Sequence, residues 1–378
     1  MTYPLYFLCA GEASGDLHGA NLMKAMLELQ PEAKFVGVGG PKMRALGLHC
    51  LVPAEDLMVV GLIEVAKNFK KIKAIFDEVA QAVIDRKVDA FIPIDYPDFN
   101  LRMSKRVKAH GVKVIYYVCP QVWAWRRGRT KFIEKYVDVL LHIFPFESKY
   151  FVQDKLKLEF IGHPLCDEID LGKTKPIQEK GQGRLAIMPG SRFSELDHHL
   201  PAMREFFVEF HRRYPEVIME IPCAQTLSID DLTNRIGQDT LDKVGPSLKI
   251  SEPGSSEEVL GRADAALIAS GTSTLQGVLS NVPLSLFYRL HPFTFWLGKK
   301  LIDLPYVGLA NLVAEREICK EYLQDEMTAD NLIAESERLL WDEPSRKKML
   351  DDYRQVQESL GGPGASARAA EVIVEACS

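Results

Sequence analysis

Residues 3–16 read YPLYFLCAGEASGD, an apolar run that ends in a glycine-rich turn. The apolar part, residues 3–10, has the length and composition of a buried strand. Two glycines in the turn let the backbone reverse tightly, and the helical spacing of residues 19–29 places a helix directly after it. This strand–turn–helix unit predicts a parallel α/β sheet with helices on both faces.

The same alternation continues along the whole chain. In the first half the further predicted strands are KFVGVGG, DAFIPID, KVIYYVCP and VLLHIFPF. In the second half they are RLAIMPGS, VIMEIPCA, LKISEP, AALIAS and PLSLFYR. Helical spacing recurs between them, at residues 72–85, 101–109, 201–214 and 272–279. Two Rossmann-like domains facing across a cleft are therefore predicted, with ligands at the carboxyl ends of the strands.

The composition shifts set the predicted domain boundaries. An N-terminal domain covers residues 1–166, and a polar linker of Lys, Gln, Gly and Pro covers 167–183. The second domain covers 184–343. Helices in 344–378 are predicted to pack back on the N-terminal domain.

Composition and charge exclude several classes of protein. The 378 residues are 47% apolar, which excludes a wholly disordered chain, and the net charge of -6 argues against a protein that coats nucleic acid. Seven cysteines show no CxxC pair and no zinc spacing, so reduced thiols and no metal are expected. We expect neither a signal peptide nor a membrane-spanning segment.

The GEASGD turn, residues 11–16, is a candidate binding loop. The start of a helix offers N–H groups to an anion or a polar sugar. The alternative is a plain strand–helix turn in which Ser14 or Asp16 caps the helix. The spacing is not GxGxxG, which disfavours a dinucleotide site.

The stretch IDYPDFN, residues 94–100, places two carboxylates at the end of a predicted strand. A carboxylate there can act as a general base if it is oriented and partly desolvated. Asp98 is our first candidate for this role, and Asp95 is the reserve or an orienting partner. The alternative is that both residues cap the helix that begins around Pro97.

Two tryptophans and three arginines lie within residues 123–129. A tryptophan can present its face to a sugar or lipid head group, and arginine can pair with phosphate. Trp123 and Arg126 are thus candidates for binding, with a purely structural tryptophan pair as the alternative.

Two turns in the second half are candidate diphosphate sites. Gly190-Ser191-Arg192 combines a helix start with a guanidinium, and residues 270–274 bring hydroxyls and N–H groups to another strand end. Ordinary turns with a surface arginine are the alternative. Neither turn is a Walker loop, so an ATPase is disfavoured.

An amphipathic helix is predicted within residues 62–76, with lysines opposite its apolar face. It could rest on an anionic membrane, or it could simply face the core. The aromatic stretch 290–300 also ends in two lysines. The candidate lipid-contacting residues are Leu62, Val65, Phe69 and Ile72.

Nine short motifs occur in the order that lipid-A-disaccharide synthases carry them, from about residue 5 to residue 370. They are GEASGD, GGPKM, IDYPDFN, VWAWRRGR, GHPL, PGSR, SGTSTL, FYR and NLVAERE. A GASARAA stretch follows near the end. The chain thus resembles that family over nearly its whole length.

The resemblance implies a GT-B fold and an inverting glycosyltransferase. Its donor would be UDP-2,3-diacylglucosamine and its acceptor 2,3-diacylglucosamine 1-phosphate, which is lipid X. The products would be a β-1,6-linked disaccharide 1-phosphate and UDP. The enzyme would need no cofactor or metal and would work in the cytoplasm, peripherally on the inner face of a Gram-negative inner membrane. No nucleic acid is expected as a partner, and a homodimer is among the possible assemblies.

The resemblance also implies roles for individual residues. The donor-side set is Gly190, Ser191, Arg192, Ser270, Gly271, Thr272, Ser273, Gln276, Tyr288, Asn311 and Glu315. The acceptor-side set is Gly11, Glu12, Ser14, Gly15, Asp16, Trp123 and Arg126. One departure concerns Gln276, because the family usually has Glu there and this makes ribose recognition at that position doubtful.

Other functions remain alternatives at this point. Another GT-B enzyme that uses a UDP-sugar, such as a muropeptide-type transferase or a UDP-sugar epimerase, would share the cleft without needing acyl chains. An NAD-dependent oxidoreductase is disfavoured by the missing GxGxxG motif. A non-catalytic lipid-binding protein would not depend on a carboxylate base.

Overall fold

A computed structural model describes residues 3–57, 62–123, 128–152, 156–169, 171–301 and 304–378. Within these ranges the side chains of residues 62–69, 293, 297 and 299–301 are not described. The chain divides into two compact units. The first contains residues 1–167 and 360–378, and the second contains residues 168–359.

The first unit is built on a parallel sheet of seven strands. The strands are β1 (Leu5–Ala10), β2 (Lys34–Gly39), β3 (His49–Pro53), β4 (Ala90–Ile94), β5 (Ile115–Tyr117), β6 (Val139–His142) and β7 (Lys157–Phe160). Their order across the sheet is β3-β2-β1-β4-β5-β6-β7. The helices are α1 (Ala13–Leu29), α2 (Pro41–Ala45), α3 (Leu62–Asp85), α4 (Pro97–Lys108), α5 (Arg129–Tyr136), α6 (Leu165–Glu168), where the unit ends, and α16 (Ala365–Cys377).

The second unit repeats this design with six parallel strands. They are β8 (Arg184–Met188), β9 (Ile218–Cys223), β10 (Leu248–Pro253), β11 (Ala265–Ala269), β12 (Leu284–Tyr288) and β13 (Glu321–Leu323), in the order β10-β9-β8-β11-β12-β13. The helices are α7 (Phe193–Arg213), α8 (Ile229–Ile236), α9 (Gln238–Val244), α10 (Ser256–Arg262), α11 (Ser273–Leu279), α12 (Pro292–Leu301), α13 (Leu309–Ala314), α14 (Ala329–Trp341) and α15 (Glu343–Ser359).

All ten strands predicted from apolar runs are present. The predictions missed three strands, β3, β7 and β13, which are the outer strand at each end of the first sheet and one outer strand of the second. Because an edge strand has only one neighbour, it can stay partly exposed. In β7, Lys157 and Glu159 are polar and Phe160 is exposed, so no apolar run marks this strand in the sequence.

The predicted boundaries need two corrections. Residues 344–359 lie in α15, which belongs to the second unit and contacts α11, α13 and α14, so only the last nineteen residues return to the first unit. The predicted linker is also not a free spacer. The amide N of Gly172 donates to Leu279 O at 2.9 Å, and Lys175 Nζ donates to Ala263 O at 2.7 Å, so this segment packs along the second unit.

A carboxylate anchors the segment that returns to the first unit. Asp167 accepts hydrogen bonds from the backbone N–H groups of Gly364, Ala365 and Ser366, at 2.6, 3.1 and 2.9 Å. These are the first N–H groups of α16, which lack partners within the helix. A charge-assisted cap therefore ties the start of α16 to α6, and α16 packs against α1.

The predicted lipid-contacting helix is only partly described. Ile72 is half-buried and packs against the hydrophobic core of the first unit, as in the alternative in which this helix faces the core. The structure does not describe the side chains of Leu62, Val65 and Phe69. Across the described ranges, no helix combines the length and apolar character needed to cross a membrane.

Candidate active site

Two loops meet at the carboxyl edge of the first sheet because β1 and β4 are parallel neighbours. One loop is Gly11–Glu12, which follows β1, and the other is Asp95–Tyr96, which follows β4. A Cβ on Gly11 would lie 2.5 Å from a ring carbon of Tyr96. Glycine at position 11 therefore allows the two loops to touch.

The β4 loop has an uncommon backbone conformation. Asp95 and Tyr96 both have positive φ angles, +45° and +48°, although neither is glycine. The carbonyl oxygen of Asp95 accepts hydrogen bonds from Asn100 Nδ2 at 2.8 Å and from the Tyr116 hydroxyl at 2.7 Å. Such a conformation persists only where the surroundings hold it, and it is typical of functional sites.

The two predicted carboxylates have different surroundings. Burial, together with the nearby negative charge of Glu12, raises the pKa of Asp95 to about 6. Asp98 is exposed in the first turn of α4, with 66% of its side chain accessible, and forms an ion pair with Arg129. A partly desolvated carboxylate is the stronger base, so these surroundings favour Asp95 over our first candidate, Asp98.

Other residues of the GEASGD turn divide between surface and core. Glu12 and Ser14 are exposed at the start of α1, and Gly15 is buried against Ala10. Asp16 does not face a ligand, contrary to our expectation. It is buried and accepts hydrogen bonds from the backbone N–H groups of Gly40, Lys42 and Met43 at 2.8–3.0 Å. Asp16 therefore caps α2 and not its own helix.

Trp123 is also a structural residue. Its ring is buried edge-on against Phe144 and Phe146, and its Nε1–H donates to Glu147 Oε1 at 3.1 Å. The other oxygen of Glu147 accepts from the N–H groups of Ile143 and Phe144, each at 3.0 Å. The structural alternative is therefore correct for Trp123. Arg126 lies outside the described residues.

In the second unit, the two predicted diphosphate turns line one cavity of about 230 Å³. β8 and β11 are parallel neighbours, so the turns that follow them meet at the same edge. The predicted residues that line the cavity are Gly190, Ser191, Arg192, Ser270, Gly271, Thr272 and Ser273. Both turns were predicted as diphosphate sites, and the fold brings them together in one cavity.

Sequence reasoning missed Glu195, which shapes the first turn. Its buried carboxylate accepts from the backbone N–H of Ser191 at 3.0 Å and from the Arg192 guanidinium at 3.1 Å. A Cβ on Gly190 would lie 2.3 Å from this carboxylate. The backbone N–H of Ser191 is thus already bonded, and a phosphate would meet the exposed guanidinium and the hydroxyls instead. The signal in the sequence that could have identified Glu195 is an acidic residue three positions after a helix cap.

Sequence reasoning also missed His199. Its Nδ1 lies 2.6 Å from Pro189 O, and its Nε2 accepts from the backbone N–H of Arg289 at 3.0 Å. Burial lowers the pKa of His199, which favours the neutral ring that this pairing requires. The ring also contacts that of Tyr288, and it therefore links the Gly190–Arg192 turn to the end of β12.

Asn311, which we expected on the donor side, has its side-chain amide bonded within its own part of the chain. It is buried, and its amide donates to Cys319 O and Glu321 Oε1 and accepts from the N–H groups of Ile318 and Cys319, all at 2.7–2.9 Å. Both ends of the amide are therefore used to hold its own loop. Glu315 is exposed at the end of α13 with a positive φ, and Gln276 is half-buried in α11. Within the described residues, no three His, Cys, Asp or Glu side chains could hold a metal ion.

Comparison with known proteins gives a family match. The model of the family described as lipid-A-disaccharide synthetase matches residues 6–376. A lipid-A-disaccharide synthase of Geobacter sulfurreducens is 35% identical over 374 residues, which covers 97% of this chain and 96% of the relative. One from Trichlorobacter lovleyi is 37% identical with the same coverage.

Solved structures support the predicted GT-B fold class. A putative UDP-N-acetylglucosamine 2-epimerase from Listeria monocytogenes matches with a TM-score of 0.65 at 14% identity, covering 99% of this chain and 95% of the other. A UGT transferase from Siraitia grosvenorii in complex with UDP matches with a TM-score of 0.62 at 11% identity, with each chain covered completely. At these identities the likeness extends to the fold alone.

The buried Glu147 predicts a pH dependence of stability. Burial raises its pKa from 4.5 to about 7, so the folded state holds the proton more tightly than the unfolded state. The stabilisation that comes from the protonated Glu147 carboxyl is complete below about pH 4.5 and is lost as the pH rises through 7. Over this range the free energy of unfolding falls by up to about 1.4 kcal/mol per pH unit. Urea unfolding at pH 5, 6, 7 and 8 should show the wild type losing stability relative to Glu147→Gln. The exposed Glu32→Gln is the control, and a wild-type advantage that stays constant with pH would contradict the prediction.

Proposed function

Because this chain belongs to the lipid-A-disaccharide synthetase family, we infer that it is a glycosyltransferase of lipid A biosynthesis. It joins UDP-2,3-diacylglucosamine to 2,3-diacylglucosamine 1-phosphate, forms a β-1,6-linked disaccharide 1-phosphate and releases UDP. The observation that carries this function is the family match over residues 6–376, which takes in both units.

The second unit is the donor side in this proposal. Its cavity presents the Arg192 guanidinium beside the turn of Ser270 to Ser273. A guanidinium and hydroxyl donors can stabilise the charge that develops on the UDP as it leaves. We therefore propose that the reaction needs no metal and no cofactor, because the chain's own donors supply this stabilisation.

The first unit supplies the base. The attacking hydroxyl on C6 of the acceptor must lose its proton as it bonds to the anomeric carbon of the donor. Asp95 is supported in this role by its position at the end of β4, its partial burial and its raised pKa. The new bond forms opposite the departing diphosphate, which inverts the configuration from α to β.

We also propose that the enzyme works peripherally on the inner face of the inner membrane, where its diacylated substrates reside. Lys70 and Lys71 are exposed on α3, and Trp296 is exposed on α12. Cationic side chains near an anionic surface favour reversible binding to it.

The first test is a UDP-release assay with acylated and deacylated donors, each with and without EDTA. The diacylated pair should release UDP, the deacylated donor should be turned over far more slowly, and EDTA should have no effect. Equal turnover of both donors would instead favour another UDP-sugar enzyme of this fold. Loss of activity in EDTA, restored by a divalent cation, would reject the metal-free proposal.

Asp95→Asn should lower kcat by about 100-fold or more, because general base catalysis is lost. Asp98→Asn should have a much smaller effect on kcat. In the wild type, activity should fall as the pH drops through about 6, where Asp95 becomes protonated. Thermal unfolding of both variants checks that they fold. A larger loss of kcat in Asp98→Asn would restore Asp98 as the base.

Arg192→Ala should weaken UDP binding by about 10- to 100-fold, because a charge-assisted contact with phosphate is lost. Isothermal titration with UDP measures this change. The matched control is Arg212→Ala, an exposed arginine on the same helix. Unchanged UDP affinity in Arg192→Ala would reject the donor role of this residue.

The double charge reversal Lys70→Glu and Lys71→Glu should reduce sedimentation with vesicles that contain anionic lipid. The same reversal at Lys347 and Lys348, exposed on α15, is the control. If both double variants sediment like the wild type, α3 does not dock on the membrane.

A further inference from the structure

A second cavity lies in the first unit, between the first turns of α4 and the start of α5. Its volume is about 350 Å³, and its wall includes Asp98, Arg102 and Arg129 together with the apolar side chains of Leu101 and Phe132. None of the interactions described above as catalytic uses this cavity.

The cavity is rich in guanidinium groups. Arg102 follows Asp98 by four residues, so both lie on one face of α4, and Arg129 reaches them from α5. Among the described residues that line the cavity, two arginines face one carboxylate, which is an excess of positive charge. Asp98 holds Arg129 by an ion pair, yet a guanidinium carries five N–H donors and can bind a carboxylate and a phosphate oxygen together.

The cavity is also next to the proposed base. The positive charge of Arg129 acts on the Tyr116 hydroxyl, where it opposes the rise in pKa that burial causes. That hydroxyl donates to the backbone carbonyl of Asp95 at 2.7 Å. Asp98, in the cavity wall, also follows Asp95 by only three residues, so the cavity lies close to the loop that carries the proposed base.

We propose that this cavity is the subsite for the 1-phosphate of the acceptor sugar, held by Arg102 and Arg129. The proposal rests on the function inferred above and adds how the acceptor is recognised. When an acceptor presents its C6 hydroxyl to Asp95, its 1-phosphate lies one sugar ring away from that hydroxyl. A cavity that neighbours Asp95 can therefore hold the phosphate. The Leu101 and Phe132 side chains offer an apolar wall to the ring or the start of an acyl chain.

The arrangement gives Asp98 a positioning function. Its carboxylate orients Arg129 before the substrate arrives, which reduces the conformational freedom that binding must restrict. The subsite would select phosphorylated acceptors, because a sugar that lacks the phosphate would not offset the positive charge of Arg102.

The test compares 2,3-diacylglucosamine 1-phosphate with the same acceptor lacking its phosphate. In the full-length enzyme, Arg102→Gln should raise KM for the phosphorylated acceptor by about 10- to 100-fold. The KM for the UDP-sugar donor and the KM for the unphosphorylated acceptor should stay unchanged. If the unphosphorylated acceptor is turned over too slowly, its competitive inhibition constant is measured instead.

Arg106→Gln is the matched control, because it removes the same charge from the same helix at an exposed position outside the cavity. Arg129→Lys should also weaken the phosphorylated acceptor selectively, since lysine keeps the charge but not the two-point geometry. An unchanged KM in Arg102→Gln, or an equal change for both acceptors, would overturn the subsite. A wild-type enzyme that turns over neither acceptor would instead refute the proposed function.

Discussion

The parallel pairing of the two central strands in each sheet is the constraint on which the site depends. In the first unit, β1 pairs with β4, and in the second, β8 pairs with β11. In each sheet the strand order reverses direction at this pair, so the loops after both strands open to the same side. The GEASGD and DYPDFN loops therefore meet in one unit, and the PGSR and SGTS turns meet in the other.

Several buried acidic side chains in or near the motifs hold the fold of the loops. Asp16, Glu147 and Glu195 are buried, and each accepts hydrogen bonds from backbone N–H groups of a neighbouring turn or helix start. A buried carboxylate is costly unless such donors surround it. These bonds hold the loops in one conformation, so the exposed groups beside them are in place before a ligand binds.

Environment separates the roles of Asp95 and Asp98, which are only three residues apart. Asp95 ends a buried strand and is partly desolvated, which raises the pKa of its carboxyl group. Asp98 lies on the exposed turn of the next helix beside two arginines. The first environment favours taking a proton, and the second favours holding a guanidinium for an anion.

The sequence by itself determined the fold class, ten of the strands, and the strand-to-helix junctions that carry the site motifs. Hydrophobic periodicity and turn residues are local signals, so they are legible in one stretch of chain. The tertiary structure decided that Asp16 caps a neighbouring helix, that Trp123 and Asn311 are buried, and that α15 belongs to the second unit. It also placed Asp95 in a partly buried environment and Asp98 in an exposed one. Burial and hydrogen-bond partners depend on residues distant in sequence, and these only meet when the sheets are assembled.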